Sequence, residues 1–124
     1  TALRCHEKAL NIRKKSLPPN HPDLARSYND IGLVYNNMGD YSKALQYHEK
    51  ALEIRKKSLP SNHPDLARSY NNIGLVYNKM KDYSKALSFL ERAVNIGQSS
   101  LPAEHPDLQV WKKSLEQVKA LQDH

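Results

Sequence analysis

Histidine and aspartate flank a proline three times in this chain, at His21-Pro22-Asp23, His63-Pro64-Asp65 and His105-Pro106-Asp107. Imidazole and carboxylate are the usual pieces of acid–base pairs and of metal sites, so these triplets are the first place to look for chemistry. Their spacing speaks against both. Copies 42 residues apart in a chain of repeated segments sit a whole unit apart, whereas zinc holds its nitrogen ligands at about 2.0–2.1 Å from one ion. No nucleophile recurs beside the triplets in a strained turn, and there is no glycine-rich phosphate loop. The sequence therefore predicts no enzyme, no metal and no cofactor. The histidines are expected at helix starts, with proline in the first turn and aspartate beside the positive end of the helix dipole.

A second set of residues suits binding. Arg68, Asn72, Leu75 and Lys79 stand three or four apart, so on a helix they form one stripe turned away from Gly74. An asparagine amide offers a donor and an acceptor, which matches the repeating polarity of a peptide backbone. Arginine forms paired hydrogen bonds with carboxylates, and leucine supplies apolar contact. The expected ligand is an extended, partly acidic peptide with one or two apolar anchors, and Asn72 is the best single candidate to hold it.

The elements that must carry this stripe follow from a repeat. Residues 6–47 and 48–89 differ only at Asn11/Glu53, Pro19/Ser61, Asp30/Asn72, Asn37/Lys79, Gly39/Lys81, Gln46/Ser88 and Tyr47/Phe89. A fixed period of this size marks a solenoid, whose units bury their apolar faces only by stacking on neighbours. In each unit a first pattern, helix A, runs from Pro22 to Met38 through Leu24, Tyr28, Ile31, Gly32 and Tyr35. Gly39-Asp40-Tyr41 breaks it, and Ser42 is expected to cap a second pattern, helix B, through Ala44, Leu45, His48, Ala51, Leu52 and Ile54. Leu59-Pro60 ends helix B, because proline cannot continue a helix and pushes its predecessor toward extended geometry. Gly32 and Gly74 cost about 1 kcal/mol each in helix interiors, which implies close approach of a neighbouring backbone, with Ala44 and Ala86 as matching small residues. The tyrosines Tyr28, Tyr35 and Tyr41, and Tyr70, Tyr77 and Tyr83, are expected to fill the hairpins.

Composition sets the remaining bounds. The lone Cys5 has no internal disulfide partner, which favours a reducing compartment, the cytoplasm. No apolar run approaches the roughly 20 residues that cross a bilayer. The formal charge of +6 and pI near 9.4 raise the question of nucleic acid. Much of that charge lies in the IRKKSL segments at 12–17 and 54–59, at expected helix C-termini where cations complement the dipole. Helical repeats that read RNA vary their reading residues from unit to unit, and these barely vary, so nucleic acid is not the expected partner.

The segment SYNNIGLVYNKMKDYSKALSFLERAVNI, from Ser69 to Ile96, with its partner from Ser27 to Ile54 and the HPDLA that introduces helix A, resembles the tetratricopeptide repeat in its 42-residue, kinesin light chain-like form. Tyr70, Ile73, Gly74, Tyr77, Tyr83, Ala86 and Ala93 together match the family pattern; His48 departs from it, standing where the family carries an aromatic or large apolar residue. The resemblance implies an all-α, right-handed superhelical solenoid of antiparallel helix pairs, with about six helices. It implies a single repeat domain over 1–124, divided into an orphan helix B (1–17), full repeats at 22–58 and 64–100, and a capping helix at 106–122. Trp111, Leu115 and Val118 are expected on the buried side of that cap, with Lys112, Glu116 and Lys119 where a further helix would dock. By the same resemblance the A helices line a concave groove that binds peptides. On this chain the groove positions are Arg26, Asn29, Asp30, Leu33, Asn36 and Asn37; Arg68, Asn71, Asn72, Leu75, Asn78 and Lys79; and Val110, Lys113, Ser114 and Gln117. A known version of the family captures a C-terminal carboxylate, but Asn29, Leu33, Val110 and Ser114 replace residues which that clamp needs, so an internal peptide segment is expected instead. The function so implied is a protein-interaction scaffold. The alternative is a structural spacer or an array that associates end to end through the first helix, where Ala2, Leu3, His6, Ala9 and Leu10 are expected to be partly uncovered.

Overall fold

The computed structural model describes residues 2–122. It contains six helices: α1 (Ala2–Ser16), α2 (Pro22–Asn37), α3 (Tyr41–Ser58), α4 (Pro64–Lys79), α5 (Tyr83–Ser100) and α6 (Pro106–Gln122), with no strand among the described residues. Thr1 of the expected first helix and Asp123 and His124 at the end of the expected domain lie outside the described residues. The chain divides into two compact units, Thr1–Leu59 and Pro60–His124. The first holds α1, α2 and α3; the second holds α4, α5 and α6.

Helix entry is set by the triplets. His21 and His63 adopt extended backbone as N-caps, and each imidazole Nδ1 accepts the backbone N–H of the aspartate two residues on, at 3.1 and 3.0 Å; His105 does the same for Asp107 at 3.1 Å. One orphan donor of each helix start is thereby satisfied, while the proline occupies a position whose N–H would have no partner. The exits of α2 and α4 share one closing motif. Asp40 N–H reaches Tyr35 O and Gly39 N–H reaches Asn36 O; Asp82 and Lys81 repeat this on Tyr77 O and Asn78 O. Such a motif needs a left-handed residue at its corner. The first copy supplies Gly39 (φ 83°), the second Lys81 (φ 66°), and the lysine carries the steric penalty that glycine escapes. Ser42, expected as the cap of helix B, lies inside α3 instead. Asp40 is the cap, its Oδ1 accepting from Lys43 N–H, and Asp82 serves α5 in the same way, because the closing motif already turns the chain at residue 40.

The first unit closes around Leu10, Leu24, Ala25, Ile31, Ala51 and Ile54, with Leu3, Leu17, Tyr28, Tyr35 and Tyr47 packed on its border. Leu10 is thus core rather than uncovered, whereas Ala2 is exposed and Leu3, His6 and Ala9 are half-buried. In the second unit Ile73, Ala86, Leu90 and Ala93 are fully buried, and Trp111, Leu115 and Val118 seat α6. Gly32 and Gly74 are both buried, but their neighbours are mainly side chains. A Cβ on Gly32 would lie 2.9 Å from the His48 ring; one on Gly74 would lie 2.8 Å from Leu90 Cγ and 3.2 Å from the Ala86 carbonyl oxygen. Beside each glycine an aromatic column fills the hairpin. Tyr47 stacks on Tyr35 at 5.5 Å and meets Tyr28 at 6.1 Å, with Phe89 repeating this on Tyr77 and Tyr70. Lys43 and Lys50, and in the second unit Lys85 and Arg92, lie over these rings, so part of the basic surplus is spent on aromatic faces.

Candidate functional site

The expected binding stripe is a set of helix faces. On α2, Arg26 and Asn37 are exposed, Leu33 is 40% exposed and Asp30 is half-buried. On α4, Lys79 is exposed while Arg68, Asn72 and Leu75 are half-buried. On α6, Lys113 and Gln117 are exposed and Val110 is 55% exposed. Leu121, which sequence reasoning passed over although it stands 42 residues after Lys79, extends that face with 46% exposure.

Arg68 is not a free guanidinium. Its Nη1 donates to Asp65 Oδ1 at 2.7 Å on the same helix, and its Nη2 donates to Asp107 Oδ2 at 2.9 Å on α6. All three side chains are more than a third exposed, so the pairing is solvent-screened and contributes at most about 1 kcal/mol. Its role is geometric, tying the N-terminal ends of α4 and α6 together. A ligand carboxylate would have to displace an aspartate there, which leaves Arg26, Lys79 and Lys113 as the exposed cations of the stripe.

Two asparagines expected in the groove are elsewhere. Asn29 is 7% exposed and points into the hairpin, where its Oδ1 lies 3.1 Å from His48 Nδ1. Three residues before Gly32, it shares that glycine's packing side, and this spacing was the available signal. An amide oxygen only accepts, so the His48 proton sits on Nδ1 and leaves Nε2 buried without a partner. Burial, and after it the Arg55 guanidinium, lower the His48 pKa from 6.5 to about 4; the imidazole is neutral at pH 7. Asn71 is 5% exposed in the equivalent place, but Leu90 replaces the histidine and the Asn71 Oδ1 has no hydrogen-bond partner. The Oδ1 atoms of Asn36 and Asn78 are likewise buried and unpartnered, and Ser114 is buried at 9%. Next to His48, Tyr47 has its phenol pKa raised by burial first and by Tyr35, Glu7 and Tyr28 after it.

Among the described residues no group of histidine, cysteine, aspartate and glutamate could hold a metal ion, and no helix is long and apolar enough to cross a membrane. The family model of the tetratricopeptide repeat matches residues 1–57 and 31–99. The chain belongs to the tetratricopeptide repeat family. Repeats of this family mediate protein–protein interaction, and proteins built from them are typically non-enzymatic scaffolds. No curated protein sequence matches the chain. Among solved structures it is similar to a kinesin light chain-like protein of Podosopora anserina with nearly identical TPR-like repeats, at 25% identity and a TM-score of 0.84, over 94% of this chain and 55% of that one. It is similar also to BtubC (BKLC) of P. vanneervenii, at 25% identity and a TM-score of 0.87, over 98% of this chain and 49% of that one. The N-terminal domain of the C. elegans stress-induced protein-1 shares the fold at 18% identity, with a TM-score of 0.62 over 95% of this chain and 94% of its own. The chain spans about half the length of the first two. The repeats are thus of the kinesin light chain-like type.

Proposed function

We propose that the chain is a protein-interaction scaffold that holds extended, partly acidic segments of a partner on the exposed faces of its A helices, α2 in the first unit and α4 and α6 in the second. The supporting observation is that Leu33 and Val110 stay 40% and 55% exposed on faces that also carry the exposed cations Arg26, Lys79 and Lys113. Large apolar side chains set among charges are what an apolar anchor flanked by carboxylates would meet. Preformed helices require little ordering of the receptor, so the peptide bears most of the entropy cost. In this reading the whole chain acts as one repeat domain, with full repeats at 22–58 and 64–100 and flanking half-repeats, working in a reducing compartment such as the cytoplasm where the exposed Cys5 stays a thiol.

An array of dodecapeptides, each with two leucines and either glutamates or lysines at the remaining charged places, tests the reading. The acidic set should bind, and Lys79→Glu with Lys113→Glu should weaken it about tenfold, the equivalent of about 1.4 kcal/mol. Equal binding of acidic and basic peptides would remove the acidic preference; binding to neither would remove the peptide site. Ile12 is 67% exposed on α1 whereas Ile54, one period later, is 8% exposed. That difference favours a second reading, self-association through α1, which sedimentation across a concentration range decides.

A further inference from the structure

One joint of the chain occurs in two chemistries. Where α1 meets α2, Arg13 Nη1 donates to Ser27 Oγ at 2.6 Å, and Ser27 is 3% exposed. Where α5 meets α6, the same two places, 84 residues on, hold Gly97 and Trp111. The indole is 3% exposed, and a Cβ on Gly97 would come within 2.9 Å of Trp111 Cε3 and Cζ3 and of Leu108 Cδ1. The exchange is reciprocal. The long side chain sits on helix B in one joint and on helix A in the other, and each faces a small partner. The rest of the joint is alike, since the His-Pro-Asp entry is the same and Leu24 and Leu108 hold equivalent buried places.

We propose that Gly97 and Trp111 form a register key, which assigns α6 to α5 and excludes it from any helix B that carries arginine at that place, as α1 and α3 do. Repeats this similar are exposed to misassembly, in which an A helix docks on the wrong B helix within a chain or between two chains. The large apolar positions alone cannot prevent this, because Leu24, Ile31 and Val34 recur as Leu66, Ile73 and Val76 and as Leu108, Leu115 and Val118. The key can. Trp111 against Arg13 would collide and take the hydroxyl partner from a half-buried guanidinium, and Ser27 against Gly97 would leave a void and an unmatched hydroxyl. Each wrong pairing fails on packing and on polarity together.

The full chain tests the key, because Trp111 is its sole tryptophan and its emission reports the docking of α6. Gly97→Arg should move that emission to the red, as for an indole in water, and lower the thermal midpoint by about 10 °C. Trp111→Ser alone should lower the midpoint comparably. The two substitutions together recreate the arginine–serine joint, and the midpoint of the double variant should rise above that of either single one. If the double variant is no more stable than the better single one, or if Gly97→Arg leaves the emission unmoved, the key does not exist. Should Gly97→Arg alone prevent folding, the double variant still decides the matter.

Discussion

The surroundings of His48 favour neutral imidazole: burial first and the Arg55 guanidinium second hold its pKa down to about 4, and Nε2 has no acceptor for a second proton. The unfolded chain, with a histidine near 6.5, therefore takes up a proton earlier than the folded one as pH falls. Stability should be unaffected above pH 6.5, decline from there to about pH 4, and level off below, a loss of about 3 kcal/mol in all. His48→Leu copies the residue that serves at Leu90 and should abolish this sloping part of a chemical-denaturation series while leaving stability at pH 7 within about 1 kcal/mol. A slope that survives the substitution would show that other groups carry it. The stripe has an equally local consequence. With Arg68 already engaged by Asp65 and Asp107, Arg68→Ala should leave the far-ultraviolet spectrum unchanged and affect peptide affinity less than loss of Lys113 does, as measured by anisotropy.

At the scale of the helix, the glycines and caps carry the clearest tests. Ala in place of Gly74 gains about 1 kcal/mol of helix propensity but meets Leu90 and the Ala86 carbonyl oxygen, the second of which cannot rotate away. Gly74→Ala should destabilise by about 1–3 kcal/mol, and Gly32→Ala by less, since the nearest atoms there belong to the His48 ring rather than to backbone. His63→Ala should cost about 1 kcal/mol through loss of the N-cap, and His63→Asn most of that back, read from urea midpoints. Helix starts were legible in the sequence because proline and aspartate mark the first turn, and the fold class because a 42-residue period with small residues at fixed places admits few packings. What escaped reading depended on contacts distant in sequence or on competition between neighbours. Arg68 meets Asp107 across 39 residues, which no helical spacing reveals. Asn29 and Asn71 are buried alike whether His48 or Leu90 faces them, so their burial follows from the closeness of the paired helices beside Gly32 and Gly74 rather than from one partner. Asp40 and Ser42 are both good caps, and the turn that closes α2 chose between them.

For the whole molecule, the division of labour between buried and exposed positions is what makes a binding role testable apart from folding. Leu33→Asp and Val110→Asp replace apolar side chains that lie outside the buried core, 40% and 55% exposed, so thermal midpoints should move by less than about 3 °C while affinity for an acidic, leucine-bearing peptide falls severalfold. A midpoint that collapses with affinity would mean that these residues support the fold instead. The left-handed corner leads elsewhere. Lys81 occupies a conformation that Gly39 adopts without strain in the first copy, and it lies outside the stripes. Lys81→Gly should therefore raise stability by about 1 kcal/mol. Thermal hardiness and partner choice then become two separate dials, so an engineer could toughen this module for use as a sensor or affinity matrix without retuning what it captures.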